Sequence, residues 1–301
     1  MSGLGSLPRL LRVQFLPVIV SPVLVGAAVA WHAASAFQPW YLLLVLLGSA
    51  TLHLAANGID DVYDYLNGTD KLAEEMLPKD APGWKPIARG VVSVGRAYAT
   101  SSALYALSVA IGLYLSFVVG WWAILIAAAG IALSYFYTAP PLKLDYRGGG
   151  LGELSIMLSF GPIPALGTYY VMTRSLSLLP VLLSLPTGIL TTDVLISHDM
   201  IFYDVYERAG KRTLTVVLGR SAAARLFTYL GVAAYSIVVL AVVARVAPLS
   251  SLLVLLALPV FLKLADLEGK VRAPPEYGAR TMLAFAHSVL FSLLLALGLV
   301  L

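Results

Sequence analysis

The sequence predicts an all-α integral membrane protein with nine transmembrane helices. Of its 301 residues, 59% are hydrophobic and only 12% carry a formal charge, and the mean hydropathy is +0.87. Soluble domains are roughly 25% charged, so this composition excludes an ordinary soluble fold. A lipid bilayer is the expected surrounding. The pI near 9.2 is explained by the positive-inside bias, and we expect no nucleic-acid partner. Cysteine is absent, which excludes disulfides and thiolate metal sites.

Each predicted helix is an apolar segment of about 20 residues, the length needed to cross a hydrocarbon core of about 30 Å. The nine segments are approximately Val13–Ala34, Pro39–Ala56, Ala97–Val118, Trp121–Tyr137, Leu151–Met172, Leu178–Ile201, Leu226–Val246, Ser250–Ala265 and Thr281–Leu301. Arg9 and Arg12 precede the first segment, and no small-residue cleavage pattern follows them. We therefore expect a retained first helix rather than a signal peptide.

The charges predict the orientation of the chain in the membrane. If the N-terminus is cytoplasmic, all but two of the 20 Lys and Arg residues fall on the cytoplasmic side, the exceptions being Arg174 and Arg245. All 16 Asp and Glu residues fall on that side as well, which the positive-inside rule does not require. We expect a multi-pass protein of the cell membrane whose N-terminus and acidic loops are cytoplasmic, and whose cytoplasmic face uses these acids.

A first acidic motif, Asn57–Asp64, follows directly on the second apolar segment. On a helix, Asn57, Asp61 and Asp64 lie within roughly 100° of one another and share one face. Carboxylate and amide oxygens in this arrangement suit Mg²⁺, which usually completes its octahedron with water and substrate phosphates. The sequence therefore predicts a magnesium site at the end of this helix.

A second acidic motif, Asp193–Asp204, ends the sixth apolar segment in the same way. Each motif is followed by bases that could hold an anion, and these are Lys85 and Arg89 after the first and Lys211 and Arg212 after the second. Two acidic motifs with basic neighbours on one side of an apolar bundle predict two Mg²⁺ ions and a diphosphate between them. The apolar bundle would hold a hydrocarbon tail, so the expected substrate is a polyprenyl diphosphate.

This repeat predicts one domain over residues 1–301, with helices 1–4 and 5–9 as two pseudo-equivalent parts and Asp-rich loops at 57–90 and 193–220. Asp61, Asp64, Asp199 and Asp204 are the predicted catalytic carboxylates, and Asn57 and Asp193 are further predicted metal ligands. At about 100° per residue, Asp193 and Asp204 nearly align on an unbroken helix while Asp199 points elsewhere. Either the helix breaks near Tyr203 or not all three touch metal.

Ionisation of an allylic diphosphate leaves a carbocation that needs a dry pocket and aromatic walls. Tyr63, Tyr137 and Tyr203 lie near predicted helix ends and are candidates for this pocket. His198 and Arg12 are further candidates for the substrate pocket. Lys143 follows the Pro140–Pro141 turn and could reach phosphate, although a positive-inside lysine is an equal explanation.

These residues resemble the UbiA superfamily of intramembrane prenyltransferases. The first acidic motif is similar to that family's Asn- and Asp-rich motif, and Lys85–Gly90 resembles the Arg-Pro-Leu-Pro-Ser-Gly that commonly follows it. Five stretches resemble more narrowly the branch that prenylates dihydroxynaphthoate for menaquinone, namely Ser21–Gly26, Tyr137–Leu142, Gly150–Leu154, Gly167–Val171 and Gly210–Leu214. The resemblance implies nine helices around a lipid-open central cavity and Mg²⁺-dependent transfer of a prenyl chain to an aromatic acceptor.

The resemblance has two departures. The second acidic motif carries about two extra residues, which leaves the roles of Asp193, Asp199 and Asp204 open, and Asp60 stands where the menaquinone branch often has Asn. Dihydroxynaphthoate is the leading acceptor and 4-hydroxybenzoate the next. Geranylgeranyl transfer to a glycerophosphate is a third possibility. Outside enzymes, a cation-coupled transporter is the alternative, since intramembrane acids often mark ion pathways.

Overall fold

The computed structural model describes residues 7–79, 81–83, 85–267, 270–271 and 273–301, and in this part of the chain all regular structure is helical. The α-helices are α1 (Leu7–Leu10), α2 (Leu16–Ala34), α3 (Pro39–Leu66), α4 (Thr69–Met76), α5 (Val94–Val119), α6 (Trp122–Tyr135), α7 (Leu151–Ser159), α8 (Pro162–Thr173), α9 (Leu179–Asp199), α10 (Tyr203–Ala209), α11 (Leu214–Leu218), α12 (Arg220–Val243), α13 (Leu258–Asp266) and α14 (Pro274–Val300). Short 3₁₀ segments cover Val13–Phe15, Leu144–Tyr146 and Leu249–Ala257. The all-α prediction is confirmed.

Eight stretches within the described ranges are long and apolar enough to cross a membrane. They are Val13–Ala34, Pro39–Leu66, Val94–Val119, Leu151–Thr173, Leu179–Asp199, Arg220–Val243, Leu249–Asp266 and Pro274–Val300. The predicted fourth helix corresponds to α6, whose 14 residues rise about 21 Å and fall short of a 30 Å core. The residues that the structure describes thus form eight long spans and one shorter apolar helix where nine spans were expected.

The Asp-rich loop predicted at 57–90 is partly helical. Helix α3 ends at Leu66, so the first acidic motif occupies its last turns, as its helical spacing predicted. The polar stretch that follows contains α4. Asp80, Glu268 and Arg272, whose charges are predicted to be cytoplasmic, lie outside the described residues. Arg174 and Arg245 follow α8 and α12 at the end of the bundle opposite the acidic motifs.

Two of the predicted helices are broken, the fifth and the eighth, and the eighth is divided into the 3₁₀ segment Leu249–Ala257 and α13. The fifth is divided at Gly161 into α7 and α8, and Pro162 begins the second half in the N-terminal position that proline favours. The break packs tightly on α9: a Cβ at Gly161 would lie 2.7 Å from the Ser184 carbonyl oxygen, and one at Gly188 would lie 2.1 Å from the Met157 carbonyl oxygen. Small residues at such crossings let membrane helices approach closely.

The helices form two groups with a cavity between them. Helix α2 packs against α8, α9 and α14, and buried side chains of α9, α12 and α14 complete the main core. Helix α3 packs chiefly against α5, and α5 against α6. Large apolar side chains such as Phe117, which is 91% exposed, point outwards from the bundle, as expected of a lipid-facing surface. The polar ends of α3 and α9 meet at the same end of the bundle.

Candidate functional site

An elongated cavity of about 250 Å³ lies between α2, α3, α5, α6, the α7–α8 break and the end of α9. Its walls are largely aliphatic and include Leu44, Leu52, Ile111, Ile126, Ile156 and Ile163. Along α3 the lining runs from Leu44 to Asp60, a span of about 24 Å at 1.5 Å per residue. The cavity therefore extends through most of the thickness of a bilayer core of about 30 Å.

Charged side chains of the lining gather at one end of this cavity, which we call the polar end. They are Arg12, Asp60, Asp145, Asp199 and Lys211, with Asn57, Tyr137 and His198 beside them. Asp61, Asp64 and Lys85 are buried next to this group, each no more than 5% exposed. An apolar channel that ends in charged groups suits a ligand with a hydrocarbon tail and a charged head.

Arg12 closes the polar end from the N-terminal side of α2. Its Nη2 atom donates to Asp61 Oδ1 at 2.6 Å and to Asp60 Oδ2 at 3.1 Å. Its backbone adopts a left-handed conformation with φ of 50°, which is costly for a residue with a Cβ. The two carboxylates hold the guanidinium in place and together compensate for this conformation.

Lys85 brings the loop after α4 to the first acidic motif. Its Nζ atom lies 2.8 Å from Asp70 Oδ1, and both side chains are almost fully buried. Burial raises the pKa of Asp70 to about 7, although Lys85 acts in the opposite direction. For Lys85, burial lowers the pKa, but the carboxylates of Asp70 and Asp61 outweigh it and the pKa is raised. Lys85 thus remains a cation beside the motif.

Lys211 links the first acidic motif to the loop between α6 and α7. Its Nζ atom lies 3.1 Å from Asp64 Oδ2 and 2.7 Å from Asp145 Oδ2, and it is only 2% exposed. Tyr146 donates a further hydrogen bond to Asp64 at 2.7 Å. Burial is the largest influence on Asp145 and raises its pKa to about 7, against the opposing effect of Lys211.

The second acidic motif is divided by the end of α9. The helix stops at Asp199, three residues follow, and α10 begins at Tyr203, so the helix does break near Tyr203. Asp199 lines the cavity, and His198 Nδ1 lies 3.7 Å from its Oδ1 atom. Of the three predicted acids, Asp199 is the one that the break leaves at the polar end.

Asp193 and Asp204 lie elsewhere. Asp193 is buried within α9 and does not line the cavity. The positive charge of Arg280 on α14 partly compensates its negative charge. Asp204 is 68% exposed on α10 and pairs with Arg220 at 2.8 Å. The helix break rotates and displaces α10 so that Asp204 faces the surface, which a continuous helical register did not predict.

Several other predicted site residues also lie outside the cavity lining. Arg89 donates to both oxygens of Glu74 at 2.8 Å, and Lys143 donates to the Asn67 side chain at 2.6 Å. The Tyr63 hydroxyl forms a hydrogen bond with that of Tyr135. The guanidinium of Arg220 lies over the ring of Tyr203, and Arg212 is exposed. Each of these side chains therefore has a surface or interhelical position in this conformation.

Four residues that sequence reasoning did not select belong to the polar end: Asp70, Asp145, Tyr146 and Tyr206. Asp145 and Tyr146 sit in the 3₁₀ turn after Lys143, which itself adopts a left-handed conformation. A lone acid between the bases Lys143 and Arg147, three residues before the glycine run that begins at Gly148, is the signal that could have identified Asp145.

The donor set at the polar end fits Mg²⁺. Four carboxylates of this set each keep at least one buried oxygen that has no hydrogen-bond partner among the described residues, and these atoms include Asp60 Oδ1, Asp70 Oδ2, Asp145 Oδ1 and Asp199 Oδ2. Buried oxygens of this kind normally have a partner. Within the described ranges no three His, Asp or Glu side chains are close enough to chelate an ion by themselves. Mg²⁺ does not require such a cage, because one or two carboxylates, water and substrate phosphates usually hold it.

The charge balance points the same way. In the described part of this site, six carboxylates share three cations. The acids are Asp60, Asp61, Asp64, Asp70, Asp145 and Asp199, and the cations are Arg12, Lys85 and Lys211. Uncompensated buried charge is costly, so added divalent cations would stabilise this arrangement.

Comparison with known proteins gives a consistent result. The model of the UbiA prenyltransferase family matches residues 19–289. A 1,4-dihydroxy-2-naphthoate octaprenyltransferase of Mycobacterium tuberculosis is 31% identical over 69% of this chain and 68% of its own length. A 2-carboxy-1,4-naphthoquinone phytyltransferase of Synechocystis is 28% identical over 86% of this chain and 81% of its own.

A solved structure shows the same fold. A UbiA homologue from Archaeoglobus fulgidus, bound to DMAPP and Mg²⁺, superposes with a TM-score of 0.66 over 95% of this chain and 98% of its own, at 17% sequence identity. That identity is low, so the likeness concerns the arrangement of the helices.

Proposed function

Because the chain belongs to the UbiA prenyltransferase family, as its motifs predicted, we propose that it transfers a polyprenyl group from a polyprenyl diphosphate to the ring of an aromatic acid. The observation that carries this proposal is the cavity itself, which is apolar for most of about 24 Å and ends in an excess of carboxylates. A transporter needs an aqueous route through the bundle, whereas the apolar walls favour an enzyme for a lipid substrate.

The donor binds with its diphosphate at the polar end and its hydrocarbon tail along α3. Arg12 and Lys211 line the cavity and supply charge-assisted hydrogen bonds to phosphate oxygens. Lys85 adds positive charge from one layer behind. Lys143, Arg89 and Arg212 lie outside the lining, so we assign the principal diphosphate contacts to Arg12 and Lys211, with Lys85 behind them.

Asn57, Asp61 and Asp64 on the first acidic motif and Asp199 on the second would hold two Mg²⁺ ions. When bound, Mg²⁺ supplies Lewis-acid stabilisation of the negative charge that develops on the leaving diphosphate. The carbon–oxygen bond of the donor breaks, and its electron pair leaves with the diphosphate. Arg12 and Lys211 stabilise the same charge through hydrogen bonds that are already oriented.

The allylic cation that remains is protected by the dry part of the cavity. Tyr137 and His198 line the cavity next to the polar end, and Phe160 lies deeper along the wall. The aromatic face of Tyr137 stabilises positive charge, and the apolar walls exclude water, which would otherwise capture the cation. A ring carbon of the acceptor then donates a π-electron pair to form the new carbon–carbon bond. The ring regains aromaticity by releasing a proton or, where that carbon carries the carboxyl group, carbon dioxide.

We propose 1,4-dihydroxy-2-naphthoate as the acceptor, with 4-hydroxybenzoate as the next candidate. The support is the identity of 31% to a relative named for the first compound. We also propose that the polar end faces the cytoplasm, because a soluble aromatic acid and Mg²⁺ would reach it from that side. A glycerophosphate acceptor has less support, since the two relatives described above are named for 1,4-dihydroxy-2-naphthoate and for 2-carboxy-1,4-naphthoquinone.

The test uses the purified chain in lipid nanodiscs with a radiolabelled polyprenyl diphosphate and a panel of acceptors. We expect labelled product with 1,4-dihydroxy-2-naphthoate, less or none with 4-hydroxybenzoate, and none with a glycerophosphate. Asp61→Ala should abolish transfer without unfolding the helices. Product formation at the wild-type rate by Asp61→Ala, or exclusive use of the glycerophosphate, would overturn the proposed function.

A further inference from the structure

The second acidic motif contributes fewer acids to the polar end than the first. The first motif contributes Asp60 to the cavity lining, with Asp61 and Asp64 buried next to it, whereas the second motif contributes Asp199 alone. Asp204 pairs with Arg220 on the surface. If two ions are bound, the half of the site around Asp199 lacks a second carboxylate from its own motif.

Asp145 supplies a carboxylate at that position. It comes from the loop between α6 and α7 and lines the cavity together with Asp199. It is only 3% exposed. Its Oδ2 atom lies 2.7 Å from Lys211 Nζ, whereas its Oδ1 atom is buried with no hydrogen-bond partner among the described residues. Asp199 likewise has a buried oxygen, Oδ2, with no hydrogen-bond partner among the described residues.

The position of Asp145 is fixed on both sides. Its backbone N–H donates to the Tyr137 carbonyl oxygen at 3.0 Å. The first turn of α7 packs directly on its side chain, so that a Cβ at Gly152 would lie 2.7 Å from Asp145 Oδ1 and 3.0 Å from Asp145 Cα. The carboxylate is therefore held at the polar end by backbone and packing rather than by its ion pair alone. A ligand held in this way needs little reorganisation when it binds an ion.

We propose that Asp145 takes the place of Asp204 as the partner of Asp199 in holding the second divalent cation. Three observations support the assignment: both carboxylates line the cavity, both keep a buried free oxygen, and Asp204 is on the surface. The inference rests on the proposed function, since it assumes two ions and a diphosphate. Lys211, which bridges Asp64 and Asp145, joins this second half of the site to the first.

The test counts bound ions instead of measuring turnover. Mn²⁺ replaces Mg²⁺, and its electron paramagnetic resonance signal is titrated against the full chain in nanodiscs with saturating inorganic diphosphate. The wild type should bind two ions, and so should Asp204→Asn. Asp145→Asn should bind one ion, or bind the second at least about tenfold more weakly, because even loss of a group behind a ligand costs about 10- to 100-fold in affinity.

Two ions bound with wild-type affinities by Asp145→Asn, or loss of an ion in Asp204→Asn, would overturn the assignment and leave the proposed function intact. Failure of the wild type to bind any Mn²⁺ with diphosphate would instead contradict the proposed function itself. Should Asp145→Asn fail to fold, as judged by its thermal unfolding, Asp145→Glu decides the question. Its longer carboxylate should retain two ions with one of them weakened, and unchanged affinities would overturn the inference.

Discussion

Removal of the Lys211 ammonium should destabilise the protein much more than removal of an exposed lysine. The substitution Lys211→Met keeps the length and apolar character of the side chain but leaves Asp64 and Asp145 without their shared cation. At distances of 3.1 and 2.7 Å and an effective dielectric constant of about 20, the two attractions are about 5 and 6 kcal/mol. The cost of desolvating the charges offsets most of this, and breaking a buried pair typically costs about 3–5 kcal/mol.

The matched control is Lys270→Met. Lys270 pairs with Asp266 one helical turn away, but its side chain is 62% exposed, and exposed pairs of this kind contribute about 0.5 kcal/mol or less. The assay is unfolding in mixed micelles as the mole fraction of SDS rises, without divalent cations. A loss for Lys211→Met no larger than that for Lys270→Met would refute the role of Lys211 as a buried countercation. If Mg²⁺ can neutralise the same carboxylates, it should restore part of the lost stability.

Substitutions elsewhere in the site should alter chain-length specificity, pH dependence and stability. Gly112 lies near the far end of the cavity and Gly130 closer to the polar end. Gly112→Leu should therefore impair transfer from long donors only, whereas Gly130→Leu should also impair transfer from shorter donors. Equal effects of the two substitutions on all chain lengths, measured by product analysis, would contradict this prediction. Burial raises the pKa of Asp70 from 3.8 to about 7, so the folded state holds a proton that the unfolded state releases. The free energy of unfolding of the wild type should therefore fall as the pH rises from 4 to 7, and it should fall less steeply in Asp70→Asn. Parallel pH profiles of stability for the two proteins would contradict the prediction. Tyr146→Phe removes the 2.7 Å hydrogen bond to Asp64 and should cost about 1.5–3 kcal/mol in the SDS assay; no measurable loss would contradict this.

The first acidic motif was predictable because it depends on local geometry. Asn57, Asp61 and Asp64 are three and four residues apart, and that spacing places them on one helical face wherever the helix lies. The motif was expected at the end of this helix, and α3 indeed ends at Leu66, two residues after Asp64. An apolar-segment rule detects where a helix leaves the hydrocarbon, not where its hydrogen bonding stops.

The second acidic motif shows where sequence reasoning reached its limit. The possibility of a break near Tyr203 was evident from the mismatch in helical register, but the direction of the chain beyond Asp199 depends on tertiary packing. Phe202 is almost fully buried and packs with Tyr206 and α4, and this contact turns α10 so that Asp204 meets Arg220 on the surface. Asp145 was missed for a related reason, since it reaches the site through a loop that has no periodicity to follow.

Pairing among the buried charges could not have been anticipated from the sequence either. Arg12, Lys85 and Lys211 come from three separate parts of the chain, and each meets a different carboxylate of the polar end. The positions of Lys85 and Lys211 after the acidic motifs suggested phosphate binding, and Arg12 was a candidate for the substrate pocket. The structure adds that these three cations neutralise part of the negative charge of the site.

Transfer measured with and without a metal chelator is the most direct test of Mg²⁺-dependent prenyl transfer by this protein. The purified chain in nanodiscs receives radiolabelled polyprenyl diphosphate and 1,4-dihydroxy-2-naphthoate, and the prenylated product is extracted and identified by mass. We expect product in the presence of Mg²⁺, none when EDTA is present, and full recovery when excess Mg²⁺ is restored. Product formed at an unchanged rate in EDTA, or no product with any aromatic acid despite Mg²⁺, would contradict the central claim.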